Sequence, residues 1–122
     1  MILADVSIWI EFFRSRMPGL RTLLESRHVV MHPCVVAELA LGSLHDRNLT
    51  LARLDSLPML RIVDLYDVRR MIEARALWSK GIGLTDAHLL ASCLISPGTL
   101  LWTLDVRLCQ EAERLGIRAA VP

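Results

Sequence analysis

The sequence from residue 2 to residue 13 reads I-L-A-D-V-S-I-W-I-E-F-F, and it decides the expected fold. Residues 2–6 are apolar except for Asp5, which is typical of a strand buried on both faces of a parallel sheet. Ser7 is predicted to cap a helix, because the apolar residues after it have helical spacing. Asp5 is therefore expected at the carboxyl end of a central strand, where open α/β sheets bind their ligands.

Strand-like and helix-like segments alternate along the rest of the chain. The pattern predicts strands over 28–32, 59–63, 99–103 and 117–121, and helices over 18–27, 33–41, 48–57, 66–80, 86–96 and 105–115. Pro33 and Gly42 mark the start and the stop of one helix that is apolar apart from Glu38 and is expected to be buried on most sides, and Thr85 is predicted to cap another. The alternation indicates one α/β domain, residues 1–122, with a parallel sheet and right-handed crossovers.

The composition narrows the class of protein. The formal net charge is only +1, so no strongly basic surface indicates nucleic-acid binding, although 13 of the 14 basic residues are Arg. Three widely spaced cysteines without a C-x-x-C pair indicate buried thiols in a reducing compartment such as the cytoplasm. The longest charge-free run, 87–104, contains a Pro-Gly turn and is better explained as helix, turn and strand than as a membrane span. Hydrophobic residues make up 53% of the chain, which indicates a very apolar core or a surface that a partner covers.

Four acidic residues stand in apolar surroundings: Asp5, Glu38, Asp86 and Asp105. Asp86 and Asp105 open predicted helices, where helix capping alone could explain a carboxylate, and the same explanation is open for Asp5. Glu38 has no such explanation, because it lies inside an apolar helix without a basic neighbour. If the first and fourth strands are adjacent, all four acids lie at one edge of the sheet.

Four ionised carboxylates in one cleft would repel each other strongly. At about 5 Å and an effective dielectric constant of about 20, each pair costs about 3 kcal/mol. Six pairs would cost on the order of 20 kcal/mol, which exceeds the net stability of a domain, roughly 5–15 kcal/mol. Protons or a hard divalent cation must neutralise them, and oxygen-only ligands suit Mg²⁺ or Mn²⁺. Such a cation can activate water against a phosphodiester.

The ordered set of acids resembles a known family. Asp5 with Ser7 in A-D-V-S, Glu38 in V-A-E-L, Asp86 in L-T-D-A and Asp105 in W-T-L-D resemble the four acidic motifs of PIN-domain nucleases. The chain length and the order of elements resemble the VapC-type toxins of bacterial toxin–antitoxin pairs. The resemblance covers essentially the whole chain.

The resemblance implies a five-stranded sheet in the order 3-2-1-4-5 and an Mg²⁺-dependent endoribonuclease whose metal ligands and catalytic residues are the four acids. It also implies a homodimer and an antitoxin that folds over the cleft. Ser7 and Thr103 resemble hydroxyl positions that support the metal ligands. Two residues depart from the family pattern: Val6 stands where Thr is common, and His88 stands where an aliphatic residue is usual. Of two interpretations of His88, a helix-surface residue and a residue that tunes the site, the first is favoured.

Other functional classes remain as alternatives. A serine hydrolase and a phosphate-loop nucleotide binder are excluded, because the chain has neither G-x-S-x-G nor a glycine-rich loop after its first strand. A receiver-like signalling domain would also bind Mg²⁺ at strand ends, but it needs an acidic pair after the first strand and a Lys at the last one. A PIN fold kept only as an interaction module is the remaining alternative.

Overall fold

The sheet at the centre of the computed structural model, which describes residues 1–121, has three parallel strands. They are β1 (Ile2–Ala4), β2 (Val29–Val30) and β3 (Leu100–Trp102), in the order β2-β1-β3. Leu3 pairs with Val30 on one side and with Leu101 on the other. Leu3 and Ala4 have no exposed surface, so the first apolar run is the central strand that the sequence predicts.

The prediction of five strands is wrong, because the described residues form only three. Each predicted edge strand pairs with the sheet at a single residue: Met59 bridges to Met31, and Arg118 bridges to Leu101. These bridges lie on the two edges that the order 3-2-1-4-5 assigns to them. At the first edge the chain leaves the sheet soon after this bridge. The backbone carbonyl of Arg61, two residues after Met59, accepts a hydrogen bond from the hydroxyl of Ser92, which lies in a helix.

Seven helices surround this sheet in the described part of the chain. They are α1 (Val6–Phe13), α2 (Pro18–Glu25), α3 (Pro33–Ala40), α4 (Arg47–Asp55), α5 (Leu65–Ala74), α6 (Leu84–Leu94) and α7 (Val106–Arg114). Helix α6 is the most deeply buried and packs against α3, α5 and β3. No helix in residues 1–121 has both the length and the apolar character needed to cross a membrane.

Helix α5 ends earlier than its amphipathic pattern predicts. The helix was expected to reach Lys80, but it stops at Ala74, and Ala76 takes a positive φ of 53°. Leaving the helix lets Leu77 enter the core, where it is 4% exposed, while Trp78 is 56% exposed rather than on the same buried face. Burial of one large apolar side chain therefore outweighs continuation of the helix.

Helix α3 is less buried than expected. Among its residues only Val35 and Leu39 are buried, and Glu38 lies on the exposed side. The apolar residues of its other faces are half-buried against the rest of the core or, at its end, open to solvent, as for Leu41. Some apolar side chains of α3 and of the residue after it thus pack in the core, and others lie on the accessible surface.

Candidate active site

The four acidic residues lie around the start of α6. Asp5 directly follows β1, and Asp105 follows β3 after two residues, so the neighbouring strands deliver both to the same edge of the sheet. Asp86 is in the first turn of α6, and Glu38 is in the last turn of α3, which packs against α6. The fold therefore brings side chains from four distant parts of the sequence to one region.

Asp5, and not Ser7, is the N-cap of α1. Its Oδ1 accepts a hydrogen bond from the backbone N–H of Ile8 at 3.2 Å and from the Ser7 hydroxyl at 2.5 Å. Its Oδ2 accepts from the Thr103 hydroxyl at 2.5 Å. The predicted cap at Ser7 is wrong because the helix begins at Val6, which places the carboxylate one step before it.

The carboxylate of Asp5 is 5% exposed, and this burial raises its pKa above the usual range. The hydrogen bonds from Ser7, Thr103 and the backbone oppose the shift, because they favour the charged form. Both lone-pair positions of Oδ1 are used by these bonds, whereas Oδ2 accepts one hydrogen bond and retains one lone pair. The two hydroxyl groups that the sequence analysis selected therefore fix the orientation of the Asp5 carboxylate.

Thr103 also connects Asp5 to Asp105. Its hydroxyl oxygen accepts the backbone N–H of Asp105 at 3.0 Å while its proton goes to Asp5. The carboxylate of Asp105 accepts the N–H groups of Arg107 and Leu108, at 2.9 and 3.2 Å, and so caps α7. Asp105 is solvent-exposed, so its second oxygen is accessible.

Asp86 and Glu38 form the other half of the group. Asp86 Oδ2 accepts the N–H of Gly83 at 3.3 Å, and Glu38 Oε1 accepts the Thr85 hydroxyl at 3.3 Å. The helix begins at Leu84 with Gly83 as its N-cap, so the cap predicted at Thr85 is wrong, and that hydroxyl is free to reach α3. The contact of Thr85 with Glu38 was missed, although its position directly before Asp86 in L-T-D-A marked it as a neighbour of the site.

The pKa of Asp86 is affected by its burial and by the charges of the other three acids. Burial raises the pKa of the Asp86 carboxyl, the Gly83 N–H lowers it, and the negative charges of Asp5, Asp105 and Glu38 raise it further. No Lys, Arg or His side chain in the described residues forms an ion pair with any of the four. The group is thus a set of interacting carboxylates without a protein cation.

The donor chemistry fits a hard divalent cation, although the side chains are not gathered around one point. Within residues 1–121, no three His, Cys, Asp or Glu side chains stand close enough together to hold one ion. Asp86, Glu38 and Asp105 each accept a hydrogen bond from a local N–H or hydroxyl donor instead. Oxygen-only ligands and an unbalanced negative charge suit Mg²⁺ or Mn²⁺, and side-chain rotation would be needed to close the site on it.

The location of His88 differs from the one favoured by the sequence. It is half-buried rather than on the helix surface, and its Nδ1 is buried without a hydrogen-bond partner among the described residues. Burial lowers the pKa of the nearby His32, and His88 lowers it further.

Comparison with known proteins agrees with this arrangement. Residues 2–113 match the family described as PIN domain. The chain belongs to the PIN-domain family. This PIN domain is 39% identical over 120 residues to Ribonuclease VapC32 of Mycobacterium tuberculosis, in both strain CDC 1551 / Oshkosh and strain ATCC 25618 / H37Rv. The alignment covers 98% of this chain and 97% of the relative. The predicted resemblance to VapC-type PIN proteins is confirmed, and the receiver-like alternative is excluded.

Proposed function

We propose that this PIN domain is a metal-dependent endoribonuclease and acts as the toxin of a toxin–antitoxin pair in the cytoplasm. The observation that supports this most directly is the group of four carboxylates around the start of α6, which no protein cation balances; the Asp86 pKa is raised mainly by burial and further by the other three acids. The similarity to a protein named Ribonuclease VapC32 supports RNA as the substrate. The whole chain, residues 1–122, is assigned to this one domain.

In this proposal Asp5, Glu38, Asp86 and Asp105 are both metal ligands and catalytic residues, and Mg²⁺ (or Mn²⁺) is the cofactor. When bound, the cation supplies Lewis-acid activation of water and of the phosphodiester. The buried Asp5 is the fixed ligand, because the hydroxyls of Ser7 and Thr103 hold both of its oxygens.

Asp105 and Glu38 are exposed and have more freedom to rotate. Thr85 holds Glu38 on the side of α3 that faces α6. The chain thus combines one rigid carboxylate with more mobile ones that can close on a cation or release it.

The direct test is cleavage of RNA by the purified protein. We expect internal cleavage with millimolar Mg²⁺ or Mn²⁺ and none with EDTA, because the carboxylates repel the phosphate unless a cation neutralises them. Ca²⁺ serves as a control for charge alone. Equal cleavage in EDTA would contradict the metal requirement, and no cleavage with any divalent ion would favour the alternative of a PIN fold that acts only as an interaction module.

The surface supports two protein partners, a second copy of this chain and an antitoxin. Leu41, Tyr66 and Val106 are 84%, 65% and 69% exposed and provide apolar surface that a partner could cover. A groove of about 410 Å³ between α1 and the end of α3 is lined by apolar side chains, by Arg14 and His45, and by Glu38, so a partner bound in it would reach one of the four acids.

We therefore expect light scattering at micromolar concentration to give the mass of a dimer. Co-expression with the product of the adjacent reading frame should yield a larger complex that does not cleave RNA. A monodisperse monomer in both samples would contradict this assembly.

A further inference from the structure

A buried histidine joins the two helices that carry Glu38 and Asp86. His32 has no exposed surface and is the N-cap of α3, where its Nδ1 accepts the backbone N–H of Cys34 at 3.0 Å. An acceptor Nδ1 leaves the ring proton of the neutral imidazole on Nε2. Nε2 lies 2.9 Å from the hydroxyl of Ser92 on α6 and donates to it. Ser92, also fully buried, donates in turn to the carbonyl of Arg61 at 2.7 Å.

These bonds form one end of a two-point connection between α3 and α6. Glu38 follows His32 by six residues, and Asp86 precedes Ser92 by six residues. Six residues span about 9 Å of helix in each case. The helices run antiparallel, with His32–Ser92 connecting them at one end and Glu38–Thr85 at the other. The bond at the buried end and the two carboxylates at the open end therefore lie on the same pair of helices.

Capping alone does not account for this histidine. Ser, Asn or Asp would accept the Cys34 N–H without burying an imidazole ring. The ring provides a second nitrogen, and that nitrogen reaches a residue 60 positions away on the helix that begins with Asp86. The bond to Ser92 is thus separate from the cap and can be removed without it.

We propose that His32 and Ser92 are a positioning pair that sets the distance between Glu38 and Asp86 for binding a single divalent cation. This assignment rests on the proposed function. Neither residue touches the metal or the RNA; both act through the helices that carry the ligands. Supporting residues of this kind commonly change metal affinity by about 10–100-fold.

The test uses Mn²⁺ binding to the RNA-free protein, measured by electron paramagnetic resonance and by calorimetry. In His32→Asn the shorter side chain still caps α3 but no longer reaches α6. Ser92→Ala removes the same bond from the other side, together with the bond from Ser92 to the Arg61 carbonyl. We expect each variant to bind Mn²⁺ about tenfold more weakly, and the double variant to be no weaker than either single one. Leu20→Ala, a core change in α2, is the control for lower stability alone, and it should keep the parental Mn²⁺ affinity.

Three results would overturn the assignment. Mn²⁺ affinities within twofold of the parent in both single variants would show that the bond only stabilises the fold. Multiplicative losses in the double variant would show that the two residues do not act as a pair. Absence of Mn²⁺ binding by the parent itself would overturn the proposed function together with this inference, whereas parental binding with unchanged variants overturns the inference alone.

Discussion

Asp86→Asn should lower RNA cleavage by about 10²–10³-fold, the range seen when one strong electrostatic contribution to a transition state is removed. Burial raises the pKa of Asp86, and the negative charges of the other three acids raise it further, so Asp86 is the carboxylate that all three influence. The amide keeps the size of the side chain, and its oxygen can still accept the Gly83 N–H. The substitution therefore removes one charge from the site and little else.

This loss can be separated from unfolding. A raised pKa means that the folded state disfavours the ionised carboxylate, so removing its charge should not destabilise the protein at neutral pH. We expect Asp86→Asn to melt at least as high as the parent in EDTA and to gain less from added Mg²⁺.

Asp64→Asn is the matched control, because Asp64 also lies at the start of a helix, α5, and accepts backbone N–H groups there, but has no hydrogen bond to any of the four acids. It should retain parental activity. Full cleavage by Asp86→Asn in a preparation free of other nucleases would contradict the role proposed for the four acids.

The central strand and its acid were predictable because both depend on local patterns. A run of apolar residues specifies a strand buried on both faces, and Asp5 can only follow it at the carboxyl end. The exact cap was not predictable, because Asp5 and Ser7 are both good N-caps and their rank depends on where the helix starts. The prediction of the two edge strands was wrong for a related reason. Their sequences have β-strand character, but this does not reveal that only one residue of each pairs with the sheet.

The hydrogen bond between His32 and Ser92 could not be predicted from the sequence. The histidine reads as the last residue of a strand, and the serine reads as one of several small residues in an apolar helix. Only packing across 60 residues makes them partners. In contrast, Glu38 was selected because an acid inside an apolar helix is costly to bury, and the helix avoids that cost by leaving it exposed.

The same buried histidine should make the protein sensitive to acid. Burial, together with the nearby His88, lowers the pKa of His32 from 6.5 to about 4. Between these values the unfolded chain binds a proton that the folded protein excludes, so stability falls as the pH decreases through this range. Protonation would also remove the acceptor that caps α3. A shift of this size corresponds to about 2 kcal/mol lost by pH 5 and about 3 kcal/mol by pH 4.

The His32→Asn variant isolates this contribution. Asp5 and Asp86 have raised pKa values, so they act with the opposite sign and stabilise the folded state as the pH falls. Both proteins contain these acids, and their contribution cancels in the difference between parent and variant. The measurement is urea unfolding of both proteins in EDTA at several pH values from 7 to 4. The free energy of unfolding of the parent minus that of the variant should be about 3 kcal/mol smaller at pH 4 than at pH 7. If the two stability curves run parallel over this range, His32 is not the group whose protonation weakens the fold.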